Sequence, residues 1–284
     1  MSTTGNNIMN RENTEELLMV QCASRICFNR GEKLNYLTWI LCIGIATASL
    51  FNNFVAIVTV VILDFLLFVT TILFDNNVKK GADFRAYFDN EVLKYINNDK
   101  KQNKDIISEA RKLQIQHSAF FAEQVVHTAH DNPPGVKDWY KVNESLPEVD
   151  AEIACERENI GFDSQMITYR GWALSILSCV LLTSWMILTI IYCPFDRGAL
   201  LIGYGGLFVK LMERVIRNIQ YYGISKCIEG MMSCVNSKSM EQLSDIQVKI
   251  DEKRRIPVYG INWLYKRHAS ELEKVYSTDT KEKQ

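Results

Sequence analysis

A single carboxylate interrupts one of the most apolar stretches of this 284-residue chain. Asp64 lies at the midpoint of residues 54–74 and is the only charged residue among them. An ionised carboxylate at the centre of a bilayer costs roughly 2.5–3.5 kcal/mol on insertion scales, so such a group is expected to face other helices or water. Two interpretations stay open. Asp64 lines a cation-attracting pore once subunits assemble, or it is protonated and hydrogen-bonds a serine or threonine of a neighbouring span.

Few other residues have the types and spacing of a chemical site. His127 and His130 stand beside Asp131, but no third histidine or cysteine is near in sequence, so a polar face is favoured over a metal site. The glycine-rich segment 203–206 lies in an apolar stretch with no preceding strand, which favours close helix packing over a phosphate-binding loop. The sequence also lacks a Walker loop and a G-x-S-x-G motif. We therefore expect no catalytic residue, metal or cofactor, and hence no enzyme.

Long apolar runs must position Asp64. No charged residue occurs between Leu34 and Leu63, or between Gly171 and Asp196. Uncharged apolar runs longer than about 18 residues are typical of membrane spans. We expect two hairpins of two spans each, with short turns at Asn52-Asn53 and at 193–197. The four predicted spans are 34–51, 54–74, 171–192 and 198–209.

The fourth predicted span is short. Its 12 residues make about 18 Å of helix, against a hydrocarbon core of about 30 Å. It crosses the membrane if Lys210 and Arg214 extend their charged ends toward the headgroups. The alternative is a re-entrant or interfacial helix.

The charge distribution predicts the orientation and excludes some partners. The 32 basic and 33 acidic residues nearly cancel, which argues against direct DNA or RNA binding. Arg197 is the only basic residue in the two turns, whereas basic residues flank the opposite ends of the spans. By the positive-inside rule, both termini and the central segment are then cytoplasmic. The eight cysteines are dispersed along the chain, which excludes a secreted disulfide scaffold.

The segments outside the spans show helical periodicity. After the second predicted span, apolar residues recur at intervals of three and four and predict an apolar helical stripe: Phe84, Tyr87, Phe88, Val92 and Tyr95. Asn13 and Glu16 resemble a capping box that opens a helix ending at Phe28, and a helix is expected over 106–129. Further helices are expected from about Pro147, which suits a first helical turn, and from about Met240. The predicted fold is all-α: an integral membrane protein with four transmembrane helices in two hairpins plus helical cytoplasmic regions. Its parts are an N-terminal amphipathic helix (1–33), a first hairpin (34–74), a cytoplasmic domain (75–170), a second hairpin (171–209) and C-terminal helices (210–284).

A series of short motifs before the third predicted span resembles a known family. In order, they are Val136-Lys137-Asp138-Trp139-Tyr140, Leu146-Pro147, Cys155-Glu156-Arg157-Glu158-Asn159 and Phe162-Asp163. They are similar to the S-4TM family, the predicted pore-forming effectors of bacterial conflict systems. Phe88-Asp89, with Val92-Leu93, resembles a further family motif. Glu156 and Phe162 depart from the family's usual glutamine and tryptophan, and Met166-Ile167 stands where a leucine-arginine pair is expected, which removes a juxtamembrane cation.

The resemblance implies a function and partners. Such effectors lie in the lipid bilayer of the bacterial inner membrane and respond to a cyclic-nucleotide signal made by a nucleotidyltransferase on phage infection. We therefore expect a homo-oligomer that permeabilises this membrane in antiphage defence. Alternatives are a membrane-anchored signalling or binding module without pore activity and, more weakly supported, a small-solute transporter. Candidate signal-relay residues, chosen because their motifs lead into the third span, are Trp139, Tyr140, Cys155, Arg157, Asn159 and Asp163; the alternative role for them is to fold the cytoplasmic helices.

Overall fold

The described part of the chain is helical. The computed structural model describes residues 6–49, 51, 53–94, 100–131, 133–140, 142–192, 198–235 and 240–258. Over these ranges the chain forms eight helices and no strand. They are α1 (Asn6–Glu12), α2 (Glu15–Ala48), α3 (Phe54–Val92), α4 (Lys100–Gln116), α5 (Ser118–Gln124), α6 (Glu148–Tyr192), α7 (Gly198–Ser233) and α8 (Met240–Arg254).

Four of the helices are longer than the predicted spans that they contain. Helices α2, α3, α6 and α7 have 34, 39, 45 and 36 residues. The predicted end of a helix at Phe28 is wrong, because α2 continues through the first predicted span to Ala48. Gly31 is the only strong helix breaker nearby, and a lone glycine costs a helix only about 1 kcal/mol.

Other helix boundaries agree in part with the sequence. Helix α6 begins directly after Pro147, as predicted. The helix expected over 106–129 is divided at His117 into α4 and α5, and α4 already begins at Lys100. The predicted capping box is wrong, because the Asn13 side chain does not bond the start of α2. Its Nδ2 donates to the Met9 carbonyl and to the Asp138 carboxylate, and its Oδ1 accepts a hydrogen bond from the Asp138 backbone amide.

The chain divides into two compact units. Unit 1 comprises 1–29, 77–162 and 224–256, and unit 2 comprises 30–76, 163–223 and 257–284. In unit 1 the expected apolar stripe of α3 is buried, with Phe84, Phe88 and Val92 at most 2% exposed. Helix α8 adds three apolar side chains to the same core: Leu243, Ile246 and Ile250.

Unit 2 contains the end of α2 and the start of α3. Asn53 caps α3, since its Oδ1 accepts a hydrogen bond of 2.8 Å from the Ala56 amide. Helices α2 and α3 approach closely at Gly44, where an added Cβ would lie 3.3 Å from the Leu63 side chain. Among the described helices, α3 is the one that is long and apolar enough to cross a membrane. Only 11% of its most apolar 18-residue stretch is buried. The other three spans stay predictions.

Candidate functional site

The best-defined polar site lies inside unit 1, around a buried carboxylate. Asp89 of α3 is 1% exposed, and its Oδ1 accepts a hydrogen bond of 2.7 Å from the Tyr140 hydroxyl. Arg85, one helical turn earlier, places its Nε 3.3 Å from the same oxygen. Arg254 of α8 pairs with the other oxygen. We call Arg85, Asp89, Trp139, Tyr140 and Arg254 the Asp89 cluster; it joins three parts of the chain that are distant in sequence.

The arginines keep Asp89 ionised despite its burial. Burial alone raises the pKa of the Asp89 carboxyl, but Arg254, Arg85 and the Tyr140 hydroxyl together lower this pKa below its ordinary value. Burial next to the Asp89 charge raises the pKa of Tyr140 well above its ordinary value. The phenol therefore stays protonated and can donate its hydrogen bond to Asp89 at any physiological pH.

Aromatic rings surround the Arg85 guanidinium. Its centre lies 4.2 Å from the Trp139 ring centroid and 5.0 Å from that of Phe88, both within cation–π range. The Phe88 and Tyr140 rings stack with centroids 6.5 Å apart. Arg25 of α2 also lies over Trp139, at 5.7 Å. The two arginines thus share Trp139, which links α2 and α3 to the segment before α6.

A tight loop presents Trp139 and Tyr140. The Val136 amide donates to the Gln124 carbonyl at 3.0 Å, which returns the chain toward α5. Gly135 is required there, because a Cβ would lie 1.8 Å from the His127 carbonyl oxygen. Asp138 has a φ of 46°, a left-handed conformation that aspartate tolerates better than most residues. Its amide and carboxylate both bond the Asn13 side chain, at 3.1 and 2.8 Å, which holds the turn.

Glu12 and Glu152 are among the further carboxyls that are buried in unit 1. Glu12 Oε2 accepts a hydrogen bond of 3.1 Å from the Tyr140 amide, whereas Glu12 Oε1 is buried without a bond. Burial raises the pKa of Glu12 to about 8. The backbone hydrogen bond from Tyr140 lowers this pKa, but its effect is smaller than that of burial. Burial next to Glu148 raises the pKa of Glu152 to about 7. Both groups are therefore close to titration near neutral pH.

The structure brings together only some of the predicted relay residues. Trp139 and Tyr140 belong to the Asp89 cluster, and Cys155 is 1% exposed in the core that contains Tyr140. Arg157 is exposed on α6 and makes no hydrogen bond or ion pair with the described residues. Asn159 and Asp163 lie within α6, but their side chains are outside the part that the structure describes.

Sequence reasoning missed the centre of the cluster. The sequence places Asp89 in a family motif and does not predict Asp89, Arg85 or Arg254 as a site residue. One signal was available, since Arg85 and Asp89 stand four residues apart within the apolar stripe of α3. Opposite charges at that spacing on a buried face indicate an internal ion pair. Nothing in the sequence indicates that Arg254, 165 residues away, is the second partner.

Asp64 and His127 do not belong to the Asp89 cluster. Asp64 is exposed in unit 2 and makes no hydrogen bond or ion pair with the described residues. Ile57, Val61, Phe65 and Phe68 of the same helix are 57–65% exposed. His127 Nδ1 lies 3.8 Å from Asp131, and the described residues contain no group of three side chains that could hold a metal ion.

The comparisons with known proteins identify the family. The profile of the SMODS-associating 4TM effector domain matches residues 6–195, more than half of the chain. The protein belongs to this family. No curated protein and no solved structure matches the chain.

The family is one of membrane effector domains associated with SMODS nucleotidyltransferases. The match includes Asp89, Trp139 and Tyr140, whereas Arg254 lies beyond its end at residue 195. This SMODS-associating effector therefore completes its buried ion-pair site with a residue from outside the matched region.

Proposed function

We propose that this protein is a pore-forming effector of the bacterial inner membrane. Subunits oligomerise and permeabilise the membrane when the cytoplasmic region receives a signal, in antiphage defence. The signal is a cyclic nucleotide made by the partner nucleotidyltransferase. Membership of the SMODS-associating 4TM effector family is the observation that carries this proposal.

The position of Asp64 supports assembly into an oligomer. In a single chain its carboxylate is exposed on an apolar helix whose neighbouring side chains are exposed as well. A carboxylate that faces lipid at mid-membrane is costly, whereas one that faces water or another helix is not. Association of several α3 helices around a common axis would move Asp64 from lipid to a water-filled path. There it would attract cations.

The Asp89 cluster supports a role for unit 1 in receiving the signal. Its buried ion pairs hold α3, the loop before α6 and α8 in one arrangement. A ligand that binds better to a second arrangement shifts the population toward it, by no more than its difference in affinity. Helices α3 and α6 each contribute residues to both units, so a change in unit 1 acts on the same helices that contain two of the predicted spans.

The test is permeabilisation by matched variants of one helix. Asp64→Asn removes the charge inside the span, and Asp83→Asn makes the same change in an exposed ion pair of α3 with Arg255. Both proteins are expressed in cells that contain the partner nucleotidyltransferase, and entry of a membrane-impermeant dye is measured after phage infection. We expect wild type and Asp83→Asn to admit the dye alike and Asp64→Asn to differ by tenfold or more. Equal dye entry for all three proteins would show that Asp64 does not line the pore. No dye entry in correctly inserted wild type would favour an anchored signalling module.

A further inference from the structure

Unit 2 contains a compact group of charged side chains at the end of the short fourth predicted span. Three cations, Lys210, Arg214 and Arg217, and one acid, Glu213, lie on α7, and the second acid, Asp75, lies on α3. We call these five residues the α7 cation cluster. With three positive and two negative charges, it has one cation in excess.

The two carboxylates of the cluster are occupied by two of the cations. Arg217 makes a bidentate pair with Asp75, at 2.8 and 3.1 Å, and a further ion pair with Glu213 at 2.5 Å. Lys210 Nζ lies 3.0 Å from the other Glu213 oxygen and 3.4 Å from the Thr71 hydroxyl. Both acids are thus neutralised without Arg214.

Arg214 is the cation left over. It is 6% exposed, and its guanidinium lies over the Phe74 ring at 4.5 Å from the centroid. Nη1 donates a hydrogen bond of 3.3 Å to the Pro257 carbonyl. Nε and Nη2 are buried and have no hydrogen-bond partner, and no described carboxylate pairs with this side chain. An arginine stays charged in proteins, and a buried charge without an opposite charge beside it is destabilising.

The free edge of Arg214 matches one kind of ligand. Nε–H and Nη2–H point in nearly parallel directions, which is the fork that binds two oxygens of one phosphate or carboxylate. We propose that Arg214 binds a phosphate oxyanion in a site bounded by Phe74 and the α7 cation cluster. A bound anion neutralises the excess charge and satisfies both buried donors. This inference does not depend on pore formation.

The phosphate has two sources. Arg214 follows the fourth predicted span by a few residues, so it lies at headgroup depth if that span crosses, and phospholipid phosphates are abundant there. The other source is free inorganic phosphate from the aqueous side. Both present the same oxygens to the guanidinium, so the experiment has to separate them.

The experiment titrates the full-length chain, purified and delipidated in a maltoside detergent. Three probes are compared by the shift in the thermal unfolding midpoint: inorganic phosphate, dihexanoyl phosphatidylglycerol, and dihexanoylglycerol, which has the same chains without the phosphate. A rise in the unfolding midpoint with inorganic phosphate identifies a site for the free anion. A rise with the phospholipid alone identifies a headgroup site. Dihexanoylglycerol is expected to give no rise in either case.

Matched variants assign the effect to Arg214. Arg214→Gln removes the charge, and we expect it to weaken binding of the active probe by about tenfold or more, since it removes a charge-assisted bidentate contact. Lys249→Gln, an exposed lysine paired with Glu252 on α8, is the control and should change binding by less than about twofold. If Arg214→Gln fails to fold, Arg214→Lys keeps the charge but loses the fork and should show a similar loss. The proposal is overturned if neither phosphate probe raises the wild-type midpoint, if dihexanoylglycerol raises it equally, or if a folded Arg214 variant binds like wild type.

Discussion

The Tyr140 hydroxyl donates a hydrogen bond of 2.7 Å to the Asp89 carboxylate, although the two residues are 51 positions apart. Asp89 is also paired with Arg85 and Arg254, so one buried acid fixes a helix, a loop and α8, the last helix that the structure describes. A buried charge with three partners is more sensitive to loss than a surface pair, because its loss leaves the partners uncompensated.

Removing the Asp89 charge should destabilise unit 1 strongly. Asp89→Asn leaves Arg85 buried without its acid and leaves Arg254 only its longer pair with Asp251 at 3.6 Å. We therefore expect the free energy of unfolding to fall by about 3–5 kcal/mol. The control Asp83→Asn breaks the exposed pair with Arg255 on the same helix and should cost about 1 kcal/mol or less. Chemical denaturation of the detergent-solubilised protein measures both. An equal loss in the free energy of unfolding for the two variants would contradict the central role of Asp89.

Arg254, the last residue of α8, and Arg255, which follows it, should differ in effect. Arg254 pairs with buried Asp89, whereas Arg255 is 47% exposed and pairs with Asp83. Arg254→Met should loosen α8, and backbone amides of 243–250 should then exchange with deuterium about tenfold faster or more, while Arg255→Met leaves exchange near the wild-type rate. Exchange in α8 is read by mass spectrometry. Similar rates in the two variants would mean that the apolar contacts alone hold the helix.

Stability should depend on pH through Glu12. Its pKa is raised to about 8 by burial, so the folded state holds a proton that the unfolded state releases near pH 4.5. The folded state is therefore favoured most at low pH and loses stability as pH rises toward 8. Glu12→Gln is always neutral, so its advantage in unfolding midpoint over wild type should grow by roughly 5 °C between pH 5 and pH 8.

The control for this titration is Glu15→Gln, an exposed acid nearby in sequence. It should leave the dependence of the wild-type midpoint on pH unchanged. Glu152, with its pKa raised to about 7, adds a similar slope that both variants retain. A constant difference between Glu12→Gln and wild type across this range would show that Glu12 titrates alike in the folded and unfolded states.

The orientation can be tested with native cysteines. Cys193 lies in the second predicted turn and Cys234 follows α7, where its side chain is exposed. If both termini are cytoplasmic, a membrane-impermeant thiol reagent should label Cys193 in intact spheroplasts and Cys234 only after permeabilisation. Single-cysteine variants separate the two signals. Cys22 is a poor reporter because it is buried and its pKa is raised to about 12 by that burial. Labelling of Cys234 without permeabilisation would refute the topology.

Local sequence patterns predicted the helices more accurately than they predicted the contacts between the helices. The apolar stripe of α3, the start of α6 after Pro147 and the packing of α8 follow from spacing and backbone preferences that a sequence displays directly. The length of α2 did not follow, because charge marks where a span ends and does not mark where a helix ends. The predicted capping role of Asn13 is wrong because a short polar side chain bonds whichever backbone group the tertiary fold brings near. Here that group is the backbone amide of Asp138.

The candidate site was predictable only in part for the same reason. Trp139 and Tyr140 were recognised as a motif, but a buried ion pair depends on which distant segments meet, as Arg254 and Asp89 do. The sequence also does not show that Arg214 lacks an acidic partner among the described residues. It indicates a juxtamembrane cation, and only the ion pairs of Lys210 and Arg217 show that neither Glu213 nor Asp75 is left to pair with Arg214.

The central claim is that the protein permeabilises the membrane when its partner is active. The most direct measurement follows membrane potential with a voltage-sensitive dye in phage-infected cells that express the full chain and the partner nucleotidyltransferase. A nucleotidyltransferase made inactive by substitution serves as the control. We expect depolarisation within one infection cycle that requires the active partner and is altered by Asp64→Asn. An unchanged potential, with the protein inserted in the membrane and the partner active, would contradict it.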